Sequence, residues 1–139
     1  MITYYEMIPD VTIYFELRKS VGWEIFCKEQ AQQALRNSCH FVLAKDGEKS
    51  VAMGRCVGDG MYYVIVDVVV RPEYQGKQIG ATIINRLVEL MKKDMPLGAR
   101  ISIQLISAQG KETFYEKQGF ERLPHDHCGP GFNRVFYTT

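Results

Sequence analysis

The chain has 139 residues, the usual size of one domain, and 46% of them are hydrophobic, which is enough for a buried core and excludes a disordered chain. Lys and Arg total 17 and Asp and Glu total 16, so the formal net charge at pH 7 is +1. This balance argues against a broad basic surface for nucleic acid, but it leaves room for a local basic patch around a small anion.

The first half of the chain predicts a strand, two helices and three further strands. The alternating segment ITYYEM is typical of a strand, which Pro9 ends, and Asp10 then begins a helix over about residues 11–20. The segment KEQAQQALRN predicts a second helix. Residues 40–70 predict three strands, because Asp46-Gly47 and Gly58-Asp59-Gly60 are strong hairpin signals.

The second half predicts two helices and three strands. A stripe of apolar residues at helical spacing predicts the first helix, which ends before Pro96: Ile79, Ile83, Ile84, Leu87, Val88 and Met91. RISIQLIS predicts a strand, AQGKETFYEKQ a short helix, and GFERL and NRVFYTT two last strands. There is no repeat or linker, so the prediction is one domain over residues 1–139, with a largely antiparallel α/β sheet and helices on both faces.

The four cysteines predict free thiols in a reducing cytoplasm. They contain no C-x-x-C pair and match neither a zinc site nor a disulfide framework: Cys27, Cys39, Cys56 and Cys128. The segment HDHC is interpreted as a polar loop, so no metal is expected. The N-terminus lacks the pattern of a signal peptide, and the longest apolar run, MYYVIVDVVV, is half of a membrane helix. A cytoplasmic protein with no membrane partner is therefore predicted.

One stretch, VVVRPEYQGKQIGATII, joins a strand to a helix through a glycine-containing loop. It lacks the G-x-x-x-x-G-K-[ST] spacing of a P-loop, because Gly80 is followed by Ala81 and Thr82. It also lacks the G-x-G-x-x-G spacing of a dinucleotide fingerprint. Bare backbone N–H groups at a helix start still suit an anion, and the alternative is a plain helix-entry turn.

This stretch resembles motif A, Q/R-x-x-G-x-G/A, of the GNAT superfamily of N-acetyltransferases. KETFYEKQGFERLP resembles the F-Y-x-K-x-G-F segment of the same family, and the order of elements fits over the whole chain. The resemblance implies an α/β (α+β) GNAT fold with a mixed, mostly antiparallel central sheet of about 6 to 7 strands flanked by about 4 helices. It also implies an acetyltransferase that uses acetyl-CoA, with no metal, and a homodimer.

By resemblance, the loop binds the pyrophosphate of acetyl-CoA and the end of the preceding strand pairs with the pantetheine arm. The implied residues are Gln75, Gly76, Lys77, Gln78, Ile79, Gly80 and Ala81 in the loop, and Val68 and Val70 in the strand. Lys77 is either a ligand of the phosphates or a solvated surface lysine. Gln78 stands where the motif has its middle glycine, and it keeps a usable N–H if its φ is negative.

The resemblance assigns Tyr115 as the catalytic acid that protonates the departing thiolate, and the alternative is a half-buried packing residue. Family members often carry a Glu or His as general base on the strand before the acetyl-CoA contacts, but Val64 and Val66 stand there. Asp67 is interpreted as structural, because strand alternation predicts that it points to the opposite face. The amine must then arrive neutral or lose its proton through water.

The acceptor is predicted to be a primary amine, in the first place of a small molecule, with a peptide or protein amine as the alternative. Candidate acceptor-site residues are Trp23, Glu24, Arg55, Asp59 and Phe132, and Trp23 alternatively packs in the core. A rival of another class is a non-catalytic acyl-CoA-binding module, which would keep the loop and lack the chemistry.

Overall fold

A five-stranded sheet and three helices make up the unit Met1–Leu105, and the described residues 106–138 belong to a second compact unit with one short helix. The computed structural model describes residues 1–138. The strands are β1 (Ile2–Tyr5), β2 (His40–Asp46), β3 (Lys49–Gly58), β4 (Tyr62–Val70) and β5 (Ser102–Leu105). The helices are α1 (Val11–Ser20), α2 (Lys28–Arg36), α3 (Ile79–Lys93) and, in the second unit, α4 (Glu112–Lys117).

The sheet is mixed and follows chain order, β1-β2-β3-β4-β5. The first four strands pair antiparallel, because short turns connect β2 to β3 and β3 to β4, whereas β5 pairs parallel to β4 after the α3 crossover. The predicted mixed, mostly antiparallel α/β sheet is thus confirmed, although it has five strands among the described residues, fewer than predicted.

Helix α1 shows why the local prediction was accurate. The Asp10 carboxylate accepts a hydrogen bond of 2.8 Å from the N–H of Thr12, which satisfies one of the bare donors at the helix start. That bond lowers the pKa of Asp10, as expected for a carboxylate that accepts a backbone N–H. Tyr14 and Leu17 lie on the buried face of α1 at helical spacing.

Helices cover both faces of the sheet. On one face, α1 and α2 pack against Phe41, Leu43, Met53 and Val69. On the other face, Ile83 and Leu87 of α3 lie against Gly54 of β3. Leu43 is paired with Met53, and its neighbour Val42 is paired with Gly54, so alternate residues of β2 and β3 serve the two helical layers.

Gly54 lets α3 approach the sheet closely. A Cβ at this position would lie 2.7 Å from Cγ2 of Ile83 and 3.2 Å from Cδ1 of Leu87. We expect Gly54→Ala to lower the free energy of unfolding by about 1–3 kcal/mol, because the added methyl overpacks the interface. Chemical denaturation measures this effect, and Gly129→Ala, where a Cβ meets no atom within 4 Å, is the control. An unchanged stability in Gly54→Ala would show that α3 moves outward without cost.

The two last predicted strands do not form in the second unit. GFERL begins with the turn that ends α4, and residues 129–138 of the described chain have no regular secondary structure. The only bridge described there joins His125 and Cys128. A strand is stabilised by a paired neighbour, and alternation alone does not supply one. The last residue of NRVFYTT lies outside the described residues, and the single-domain prediction stays a prediction.

Candidate active site

The loop between β4 and α3 leaves three backbone N–H groups without intrahelical partners. A 3-10 turn, Pro72–Tyr74, follows β4, and α3 begins at Ile79. The first bond of the helix runs from the N–H of Thr82 to the carbonyl of Gln78, at 3.1 Å. The N–H groups of Ile79, Gly80 and Ala81 therefore precede the helical ladder, at the positive end of a 15-residue helix.

Gln78 adopts a left-handed conformation, with φ of +67° and ψ of 12°. The condition of a negative φ, under which Gln78 would keep a usable N–H, is not met at this residue. Its carbonyl nevertheless serves the helix, because it accepts from both the N–H and the Oγ1 of Thr82. A residue with a Cβ pays about 1–2 kcal/mol for this conformation, which explains why a glycine is the usual choice at this place in the motif.

We expect Gln78→Gly to raise the free energy of unfolding by up to about 1 kcal/mol, because it relieves the left-handed strain. The control is Gln33→Gly, the same exchange on the exposed side of α2, which should destabilise by about 1 kcal/mol. Thermal and denaturant unfolding measure the stability of both variants. Destabilisation of equal size in the two variants would contradict the strain at Gln78.

Three side chains brace the loop. Gln75 donates from Nε2 to the carbonyl of Val70 at 3.0 Å, which ties the loop to the end of β4. Tyr74 donates its hydroxyl to Asp46 at 2.6 Å, and this bond raises the pKa of Tyr74. The Nζ of Lys77 lies 5.2 Å from the centre of the Tyr74 ring, so this cation rests beside the loop.

The second half of β4 runs past its parallel neighbour. Pairing with β5 covers Tyr62 to Ile65 and ends at the pair of Ile65 with Leu105. Within the unit Met1–Leu105, no strand pairs with the following residues of β4 on that side. This open edge, Val66–Val70, contains Val68 and Val70, and it leads directly into the loop at the start of α3. An extended ligand can add to such an edge through backbone hydrogen bonds.

A β-bulge lies at the start of the open edge. Arg55 is paired with Val66 and Met53 with Val69, so two residues of β4, Asp67 and Val68, face the single residue Gly54 of β3. Asp67 has a φ of +57°. The alternation argument for Asp67 was therefore wrong, because the bulge puts this carboxylate on the same side as Arg55, the partner of Val66.

Asp67 accepts three hydrogen bonds from charged or phenolic donors. These come from the hydroxyl of Tyr14 at 2.6 Å, Nη1 of Arg18 at 2.6 Å and Nε of Arg55 at 2.8 Å. The three charged side chains are 8–12% exposed. Burial and the hydrogen bond to Asp67 raise the pKa of Tyr14 to about 12, so its phenol remains a donor at neutral pH. The sequence reasoning missed Tyr14 and Arg18, and its only signal was an aspartate inside an apolar strand.

The candidate acceptor residues divide into separate places. Trp23 packs partly buried on the α1–α2 core, and Arg18 lies 5.3 Å from its ring centre. The backbone carbonyl of Glu24 accepts from Nε of Arg18 at 2.8 Å. Arg55 lies in the same network through Asp67 and also donates to Oγ of Ser38 at 3.2 Å. The structure thus brings these three candidates together around Arg18 and Asp67.

Asp59 lies away from this cluster, in the first unit. Asp59 forms the turn between β3 and β4, at the opposite end of β4 from the loop. Its Oδ1 accepts from the N–H groups of Tyr62 and Met61, which lowers the pKa of Asp59. Phe132 belongs to the second unit and is 91% exposed. The geometry gives Asp59 a structural task, and its part in acceptor binding stays a prediction.

Tyr115 lies on α4 between two aromatic rings. The ring of Phe114 stands edge-on at 5.0 Å between centres, and that of Phe120 at 6.3 Å. Burial raises the pKa of Tyr115, so the phenol keeps its proton through the neutral range. A group that titrates above pH 10 can act as an acid but not as a base at neutral pH.

The cysteines and the HDHC segment show no arrangement for a metal in the described part of the chain. All four cysteines are free, and Cys56 alone is buried, which raises the pKa of its thiol to about 11. Across residues 1–138, no three His, Cys, Asp or Glu side chains are grouped so that they could hold a metal ion. His125 and Cys128 instead exchange two backbone hydrogen bonds. None of the described helices has the length and apolar character needed to span a membrane.

An open strand edge that leads into bare N–H donors at a helix start is an arrangement that suits an extended anionic ligand, and comparison with known proteins identifies the family. Residues 37–122 match the family model of the Acetyltransferase (GNAT) domain. An uncharacterised N-acetyltransferase, ycf52, of Pyropia yezoensis is 32% identical over 115 residues, or 78% of this chain. The chain spans 63% of the length of that relative.

Two solved structures are similar over nearly the whole chain. A probable acetyltransferase of unknown function from meticillin-resistant Staphylococcus aureus has a TM-score of 0.87 and 28% identity, covering 99% of this chain and 100% of that one. A GNAT-family acetyltransferase from Streptococcus pneumoniae has a TM-score of 0.79 and 27% identity, covering 99% and 98%. The chain belongs to the GNAT family of acetyltransferases.

Proposed function

We propose that this protein transfers the acetyl group of acetyl-CoA directly to a primary amine of a small molecule. The observation that carries the proposal is the set of three N–H groups at the start of α3, directly after the open edge of β4. A compact dianion suits the first feature and an amide-bearing chain suits the second, and acetyl-CoA contains both.

The pyrophosphate is proposed to bind the backbone between Gly76 and Ala81, with Lys77 adding positive charge. The pantetheine amides then pair with Val68 and Val70 on the open edge. The carbonyl of Val70 already accepts from Gln75. A carbonyl oxygen has two lone pairs, so this bond fixes the loop without closing Val70 to the ligand.

In the proposed reaction, the amine nitrogen attacks the thioester carbon, a C–N bond forms and the C–S bond breaks. Tyr115 gives its phenolic proton to the departing sulfur, and the proton that the nitrogen loses after its attack passes through water and restores the phenol. No side chain at positions 64 and 66 can act as a general base, because both residues are valines. The acceptor is therefore proposed to enter as the free base, so that no carboxylate is needed to deprotonate it.

Trp23 and Glu24 are proposed to line the acceptor site. The Glu24 side chain is exposed while its backbone is held by Arg18, so the carboxylate is available to a cation. A single carboxylate beside an indole suits a small amine better than a long basic peptide, which would require a series of acidic side chains. A peptide or protein amine is the second candidate.

A panel of amines tests the proposal. Release of free CoA thiol is measured with small primary amines in one set and with peptides that offer an N-terminal or lysine amine in another, while calorimetry measures acetyl-CoA binding. Turnover with small amines is the expected result, and turnover with peptides alone would select the second candidate. Binding without turnover on any amine would favour a non-catalytic acyl-CoA-binding module.

A further inference from the structure

We infer that Asp67, with Tyr14, Arg18 and Arg55, is a positioning unit that sets both halves of the active site: the open edge of β4 for the donor and the segment Val21–Cys27 for the acceptor. None of these side chains needs to touch a reacting atom. The inference rests on the proposed function, because it assumes that acetyl-CoA binds along Val66–Val70.

The donor half of the argument starts from the backbone of Asp67. This residue is in the left-handed region although it is not glycine, and its bulge follows the last residue of β4 that pairs with β5. A bulge bends its strand and increases the local twist. Strained residues persist where their surroundings over-determine them, and three hydrogen bonds of 2.6–2.8 Å do so here.

The acceptor half starts from Arg18. This guanidinium binds Asp67 through Nη1 and the carbonyl of Glu24 through Nε. It also lies 5.3 Å from the ring centre of Trp23 and 4.9 Å from that of Phe26. One side chain therefore joins the bulge of β4 to the segment that follows α1. A planar, forked cation can make these contacts together, and a lysine cannot.

The two arginines differ in their second contacts, which separates the two halves. Arg55 donates to Asp67 and to Oγ of Ser38, and it makes no described contact with Val21–Cys27. Replacing the guanidinium group of Arg55 should loosen the bulge and leave Val21–Cys27 unchanged. Loss of the Arg18 fork should free Trp23 and Glu24, while Asp67 keeps Arg55 and Tyr14.

The sole tryptophan of the chain provides a readout that needs no knowledge of the acceptor. Acrylamide quenching of Trp23 fluorescence reports on the Val21–Cys27 segment, and calorimetric Kd for acetyl-CoA reports on the β4 edge. Both are measured below the unfolding transition of each variant. Arg86→Lys is the matched control, because Arg86 is exposed on α3 beside Tyr4 and contacts neither half.

We expect Arg18→Lys to raise the quenching constant about twofold, since the indole loses its stacked cation. Arg55→Lys should raise the Kd for acetyl-CoA about tenfold with unchanged quenching, because small displacements of a binding edge are costly. Asp67→Asn tolerates the positive φ but loses the charge, and it should change both readouts.

Lower melting temperatures with unchanged Kd and unchanged quenching in all three variants would overturn the inference and leave the network a purely stabilising one. The inference would also be overturned if Arg86→Lys changed the Kd or the quenching constant as much as the three variants do. Failure of the proposed function is recognised separately, because the wild-type protein would then show no acetyl-CoA binding, and the donor half would fall with it.

Discussion

Replacing Gly80 with Glu is expected to raise the Kd for acetyl-CoA at least tenfold, a loss of about 1.4 kcal/mol. Gly80 carries one of the three bare N–H groups, in the first turn of α3. A glutamate there brings a negative charge and a bulky side chain to the place proposed for the pyrophosphate. The charge repels the phosphates, and the carboxylate competes for the same donors.

The free energy of unfolding of Gly80→Glu should stay the same or rise, although its affinity for acetyl-CoA falls. A glutamate near a helix N-terminus is favourable by about 0.3–1 kcal/mol, and any residue other than proline improves on glycine in a helix. Gly80→Glu should thus melt at the wild-type temperature or above while it loses affinity. Gly80→Gln is the control for bulk without charge, and it should lose less affinity. A folded Gly80→Glu protein with wild-type Kd would disprove the placement of the pyrophosphate.

Tyr115→Phe is expected to lower kcat by roughly ten- to a thousandfold and to leave acetyl-CoA affinity nearly unchanged. The phenyl ring keeps the edge-on contacts with Phe114 and Phe120, so little packing is lost. The loss should be partial because a thiol has a pKa near 8.5, and its thiolate leaves tolerably without help. A desolvated site raises the pKa of the departing sulfur together with that of the phenol, which keeps the proton transfer feasible.

The pH dependence of kcat gives an independent check on Tyr115. Burial raises the pKa of this phenol above its ordinary value of 10, so the acid is present at all lower pH values and is lost only as pH rises through the shifted pKa. The wild-type rate should fall on that alkaline side, and the Phe variant should show no such fall. Tyr137→Phe, the same exchange at an exposed position of the second unit, is the control. Wild-type kcat in Tyr115→Phe would leave Tyr115 as a packing residue.

Local signals in the sequence predicted the five strands and four helices of the described chain well and the network at Asp67 not at all. Helix α1 begins at Val11 because Asp10 caps it, and cap chemistry is local. The hairpin between β2 and β3 forms at Asp46-Gly47, where glycine takes the positive φ. The bulge at Asp67 depends on Tyr14, Arg18 and Arg55, which are 12 to 53 residues away along the chain. No alternation pattern contains such contacts.

Two departures from the sequence analysis have the same origin. At Gln78 the turn into α3 needs a left-handed residue, although a residue with a Cβ ordinarily prefers a negative φ. GFERL and NRVFYTT have the composition of strands but no described partner in their unit. In each case the surroundings, and not the residue's own preference, decide the backbone conformation.

The open edge of β4 has a consequence for handling the protein. Val66–Val70 is a valine-rich strand end whose unpaired backbone groups can form hydrogen bonds with a strand of another chain. Aggregation of sheets starts from such edges. A ligand that lies along this edge would also shield it. At a hundredfold excess over its Kd, such a ligand stabilises the native state by about 2.7 kcal/mol. Concentrated stocks stored with CoA should therefore scatter less light over time than stocks stored without it, and the benefit should be smaller in Gly80→Glu.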